Sequence, residues 1–144
     1  MLPLIFHPLV YLVSALLLGS VLGFERTLAG KTAGVRTYAL VSMGSCLFIL
    51  IARYVIPTTE QFTFDPLRMA AAVVMGIGFL CGGVIVFKEQ TLQGLTTAAG
   101  LWVSAGIGMA VGYGLVNLAL FATLATLLVF TVFWFIEHKL SGQK

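Results

Sequence analysis

Apolar positions fall into five long, nearly unbroken blocks along this chain, with only short polar stretches between them. Each block is close to the roughly 20 residues a helix needs to cross a bilayer. The pattern predicts an all-α, polytopic membrane helix bundle. Its helices are expected at about 4–24, 37–55, 67–87, 96–112 and 115–136, in a single transmembrane domain over 1–144. Residues 25–36 (ERTLAGKTAGVR), 56–66 (IPTTEQFTFDP), 88–95 (KEQTLQGL) and 113–114 form the connections. Links this short make consecutive helices antiparallel neighbours. Gly34-Val35-Arg36-Thr37 and Gly94-Leu95-Thr96-Thr97 open two of the blocks in similar fashion, which hints at a loose parallel repeat of hairpins.

The basic residues set the expected orientation. With the N-terminus outside, Arg26, Lys31, Arg36, Lys88, Lys139 and Lys144 face the cytoplasm, and only Arg53 and Arg68 lie at the outer ends. The opposite topology reverses that split, so the expectation is N-out, C-in.

Composition sharpens this picture. The chain is 60% hydrophobic and only 9% charged, against about 45–50% apolar and about 25% charged in a soluble domain. Its mean hydropathy is +1.07. The net charge of +3 is scattered among apolar segments and forms no patch for nucleic acid. Cys46 and Cys81 each lie within an apolar run, where a thiol behaves as a small hydrophobe.

Small residues are the next signal, because hydrophobicity alone does not drive helices together in lipid, whereas close backbone approach does. Gly19 and Gly23 form a GxxxG on the first helix. Gly78 and Gly82 form another on the third, beside Gly83. On the fourth, Thr96, Gly100, Ser104, Gly108 and Gly112 recur every four residues, so that helix is expected to have protein on most sides. The fifth is bulky all round and is expected at the lipid-facing periphery, with Trp134 and Phe135 in an interfacial belt.

Candidate chemistry gathers at one membrane edge. Glu25 and Arg26 follow an apolar helix directly; they suit a pair with each other, an interfacial anchor, or a buried polar network reaching Arg36, Thr37 or the backbone near Gly94. Thr37, Thr96 and Thr97 are expected to cap the second and fourth helices. No catalytic constellation, metal-ligand cluster or phosphate-cradling loop is evident, so neither an enzyme nor a cofactor or metal site is expected.

Two blocks carry a resemblance. Residues 19–48 read GSVLGFERTLAGKTAGVRTYALVSMGSCLF, and residues 76–112 read GIGFLCGGVIVFKEQTLQGLTTAAGLWVSAGIGMAVG. Together they resemble the MgtC/SapB family of bacterial membrane proteins, matching it at Gly23, Glu25, Arg26, Gly34, Arg36, Thr37, Gly44, Gly78, Gly82, Gly83, Gly94, Thr97, Ala98, Ala99 and Trp102. The resemblance implies an inner-membrane bundle of about five helices. It also implies a link to magnesium homeostasis, with members that look like regulators of other membrane proteins, including the proton-translocating ATP synthase. Virulence-associated members often have Asn where this chain has Thr96, Cys where it has Val103, and a soluble cytoplasmic domain after the last helix. The expectation is therefore a short, SapB-like member. It would be a non-enzymatic regulator acting through helix–helix contacts, as a homodimer or with another membrane protein. The alternative is a small transporter or channel for Mg²⁺ or another solute.

Overall fold

The computed structural model describes residues 2–55, 65–88 and 90–141. Most of the 56–66 connection and the terminal Lys144 lie outside them. Five helices are long and apolar enough to cross a membrane: Pro8–Leu28, Val35–Tyr54, Leu67–Val84, Leu95–Gly112 and Val116–Leu140. In full the elements are α1 (Leu2–Leu28), α2 (Val35–Val55), α3 (Pro66–Val84), a hairpin of β1 (Val86–Lys88) and β2 (Thr91–Gln93), α4 (Leu95–Gly112), α5 (Val116–Leu128), a π-helical turn (Val129–Phe133) and α6 (Trp134–Ser141). The backbone stays helical from α5 through the π turn into α6, so these three make one long helix.

Helix ends follow local chemistry. Both α1 and α4 stop at a glycine of positive φ, Gly30 and Gly114. At each, the next residue's N–H reaches back five positions, Lys31 to Arg26 and Leu115 to Ala110, at 2.9 and 2.8 Å. The glycine's own N–H reaches back three, closing a Schellman turn. At α3, Asp65 Oδ1 accepts from the Leu67 N–H at 2.9 Å, and Pro66 opens the helix.

The sequence reading carries α3 on to Phe87 and follows it with a plain polar link. Instead α3 ends at Val84, and an antiparallel hairpin pairs Phe87 with Leu92. The β-branched and aromatic run Val84-Ile85-Val86-Phe87 supports a strand as readily as a helix, and Gln90 at φ +65 turns the chain.

Three helices make the dense centre. On α1, Gly23 lies against Val35 and Gly19 against Tyr38, Ala39 and Ser42, so α1 and α2 are antiparallel. On α4, Gly108 lies against Ser42, and Gly112 against Cys46 and Ile49, so α2 and α4 run parallel. A Cβ at Gly19 would stand 2.6 Å from the Tyr38 carbonyl oxygen, and one at Gly108 would stand 2.7 Å from the Ser42 carbonyl carbon. Such contacts leave no room for even a methyl group. They are the close approach that holds helices together in lipid.

As its small residues predict, α4 is the enclosed helix, touching α1, α2, α3 and α5. Its Leu101, Ser104, Ala105, Ile107 and Val111 are almost wholly buried. Gly78, Gly82 and Gly83 take no part in close packing within the chain. Nothing lies within 4 Å of a Cβ placed on any of them, nor at Gly76. They face outward because α3 packs on α4 through Ile77, Cys81 and Val84, its other face. Phe79, Met75 and Leu80 are exposed beside them, and α3 rather than the long last helix is the least covered span.

Candidate functional site

One end of the bundle collects the polar residues that stand out in the sequence. It holds the end of α1, the starts of α2 and α4, the hairpin after α3, and the π turn with α6. Because α2 and α4 are parallel, both present the positive end of their dipoles here.

Glu25 and Arg26 close α1. The Arg26 guanidinium is buried and donates through Nε to Glu25 Oε2 and through Nη2 to Glu25 Oε1, at 2.7 Å for the latter. It is the one ion pair among the described residues. A bidentate fork of this kind holds both side chains in one geometry. Of the partners open to Glu25 in the sequence, namely the adjacent Arg26, Arg36, Thr37 and the backbone near Gly94, it is Arg26 that takes both carboxylate oxygens. The guanidinium also lies over the Phe130 ring, 3.8 Å from its centroid.

Phe130 was missed at the sequence level. It belongs to a helix with bulky residues on every face, so periodicity gave no reason to bury it. The π turn supplies the reason: widening the helix at Val129–Phe133 carries Phe130 inward, and such turns recur at functional sites. Its ring meets Tyr38 edge-on, with centroids 6.5 Å apart and planes at 85°. Gly100 makes space for both rings, since a Cβ there would stand 2.6 Å from Phe130 Cζ.

Tyr38 then ties α2 to α4. Its hydroxyl donates to the Thr97 carbonyl at 3.2 Å, while Ser104 Oγ donates to the Tyr38 carbonyl at 3.0 Å. Cys81 Sγ donates to the Ala98 carbonyl at 3.1 Å, fixing α3 to the same turn of α4. Glu25, Arg26, Phe130, Tyr38 and Thr97 thus form one connected chain of contacts across four helices.

The expected threonine caps are not made. Both helices start earlier than the sequence suggested, at Val35 and Leu95, which moves Thr37 and Thr97 to their third positions and Thr96 to the second. Thr27 Oγ1 instead accepts from the Val35 N–H at 3.1 Å and donates to the Gly23 carbonyl at 3.0 Å. Gly94 precedes α4 with no side-chain cap. Any Cβ at Gly94 would collide with the Val84 carbonyl, so glycine lets the start of α4 sit tightly against the end of α3.

Besides a hollow of about 600 Å³ beside Glu25, Leu28 and Phe135, two cavities flank this end. The first, about 470 Å³, is bounded by Arg26 and Lys31, by the first turn of α4 with Thr96 and Thr97, and by Phe130, Phe133, Trp134 and Glu137. Arg36 and Thr37 line the other, about 370 Å³, with Thr27, Thr32 and Lys31. Lys31 borders both.

At the opposite end, Arg53 Nη1 donates to the Gly112 carbonyl at 2.7 Å. The cation satisfies the last turn of α4 and meets the negative end of its dipole. Beside it, burial and the nearby Asp65 carboxylate push the Tyr113 phenol above its usual pKa.

Comparison with known proteins adds lineage to this geometry. Residues 12–139 match the MgtC family. The chain is 39% identical over 138 residues to YhiD of Escherichia coli (strain K12), provisionally named a magnesium transporter, covering 94% of this chain and 64% of that protein. It is 44% identical over 124 residues to the protein MgtC of Salmonella typhimurium (strain LT2), covering 86% and 51% respectively. It is also 41% identical over 119 residues to the uncharacterised protein slr0014 of Synechocystis, covering 83% and 49%. The chain therefore spans about half to two thirds of the length of these curated relatives. No solved structure matches it significantly. The helix count, the two glycine-rich blocks and these matches agree: the chain is a multi-pass membrane protein that belongs to the MgtC family.

Proposed function

We propose that this protein is a non-enzymatic regulator or accessory factor in magnesium-linked ion homeostasis. It acts by helix–helix contact within the bacterial inner membrane, as a homodimer or with another membrane protein. The carrying observation is how its small residues divide. Gly19 and Gly23 on α1 and Gly100, Gly108 and Gly112 on α4 are used up in closing the bundle, whereas Gly76, Gly78, Gly82 and Gly83 on α3 meet nothing. A close-approach surface left open on a membrane helix is the feature such a protein needs. The excess of basic residues at the Arg26 end supports that end as cytoplasmic.

A second reading, a carrier for Mg²⁺ or another solute, draws on the provisional name of YhiD. The packing favours it less. Where α1, α2 and α4 cross, Gly19 and Gly108 bring backbone onto Ser42 from both sides.

Crosslinking in native membranes tests the proposal. A Phe79→Cys variant in a Cys46→Ala, Cys81→Ser background is expected to yield one defined crosslinked species on oxidation. A ladder of products, or none, contradicts it.

A further inference from the structure

We infer that the 470 Å³ cavity between the start of α4 and the last helix binds a phosphate group, as carried by an anionic lipid head. The inference stands on this end of the bundle and does not depend on which complex the protein serves.

Three donors of different origin converge on the cavity. Arg26 lines it, buried and held in place by Glu25 and Phe130. Lys31 lines it from the turn after α1, and no carboxylate among the described residues pairs with it. The first turn of α4 supplies the N–H groups of Leu95, Thr96 and Thr97, which no carbonyl within the helix can accept and no side chain caps. Backbone N–H groups and a helix dipole are suited to phosphate oxygens.

An independent observation points to an occupant. Thr97 is only 4% exposed and lines the cavity. Its carbonyl takes the Tyr38 hydroxyl, yet its own hydroxyl has no hydrogen-bond partner among the described residues. That hydroxyl is reached only through the cavity it lines, and a phosphate oxygen there would supply its partner.

The rest of the lining suits a lipid. Phe133 and Trp134 form an apolar wall at the membrane edge, where acyl chains begin. Glu137 also borders the cavity. Its carboxylate opposes a second negative charge, which favours a singly charged phosphodiester over a phosphate monoester.

Native mass spectrometry of the detergent-solubilised protein tests this, using phosphatidylglycerol and phosphatidylcholine as probes. Phosphatidylglycerol is expected to be retained preferentially. One cation near the surface is worth about fivefold toward an anionic head group, so Lys31→Gln should weaken phosphatidylglycerol by about that factor. Thr97→Val, which keeps the shape, should also weaken it, whereas Glu137→Gln should strengthen it. Phosphatidylcholine, which carries no net charge, should respond less to Lys31→Gln and Glu137→Gln, and like phosphatidylglycerol to Thr97→Val. Displacement of phosphatidylglycerol by millimolar inorganic phosphate would identify the natural occupant as a soluble phosphate compound. Resistance to displacement would identify the lipid. Equal retention of the two lipids, or three variants that bind phosphatidylglycerol like the parent, would overturn the inference.

Discussion

Arg26 and Arg53 mark opposite membrane edges, and each completes a helix end in its own way. Arg26 is buried against Glu25 and Phe130, so its charge is tolerated only while both partners stay. Removing one member of a buried pair strands the other and typically costs about 3 kcal/mol or more. Arg26→Met should therefore lower stability in detergent by that order, and Glu25→Gln added to it should restore part of the loss. Thermal unfolding of the two single variants and the double variant measures both effects. Arg53 spends its charge on one carbonyl, that of Gly112. Hydrogen bonds to charged groups contribute about 1.5–3 kcal/mol, so Arg53→Ala should destabilise within that range. Ser42 goes the other way. Its hydroxyl is buried with no partner, so Ser42→Ala is expected to leave the melting temperature unchanged or raise it. A clear fall would mean that the hydroxyl bonds to something in the folded protein.

Among the elements, α4 shows what a sequence can and cannot reveal. Its four-residue stripe announced a helix enclosed by others, because small side chains can only be filled in by neighbours, and four helices do surround it. The same motif on α3 was ambiguous. Gly78 and Gly82 say that a close approach is possible there, but not whether the approaching helix belongs to this chain. That is decided by which face of α3 carries Ile77 and Cys81 toward α4. The hairpin was unreadable for another reason: three-residue strands are too short to show alternation. The contrast between the two helices is measurable. Gly108→Ala forces a methyl against the Ser42 backbone, and overpacking of this kind costs about 1–3 kcal/mol. Gly78→Ala meets open space and should leave the stability of the single chain unchanged. If it instead weakens the crosslink formed through Phe79→Cys, the open face is the contact surface. Equal destabilisation by both substitutions would contradict the packing described.

For the whole molecule, the lipid-facing character was plain from composition, because 9% charged residues cannot cover a water-exposed surface. The candidate site was half legible. Glu25, Arg26, Thr96 and Thr97 stood out as polar residues at the end of apolar runs, and the parallel course of α2 and α4 gathers them. Phe130, Tyr38 and Thr27 did not stand out, since an aromatic ring or a threonine near a helix end has no distinctive pattern until the fold gives it neighbours. Orientation remains a proposal that reporter fusions can test. A C-terminal fusion to green fluorescent protein should fluoresce, and one to alkaline phosphatase should be inactive.

The claim on which the functional account rests is that backbone contacts at Gly19, Gly108 and Gly112 close the centre of this bundle. Ion uptake is the direct measure of it. Purified protein in sealed proteoliposomes loaded with a Mg²⁺-sensitive dye should admit no more Mg²⁺ than protein-free vesicles under the same gradient. Saturable uptake that disappears with Glu25→Gln would contradict the account and make the protein a carrier.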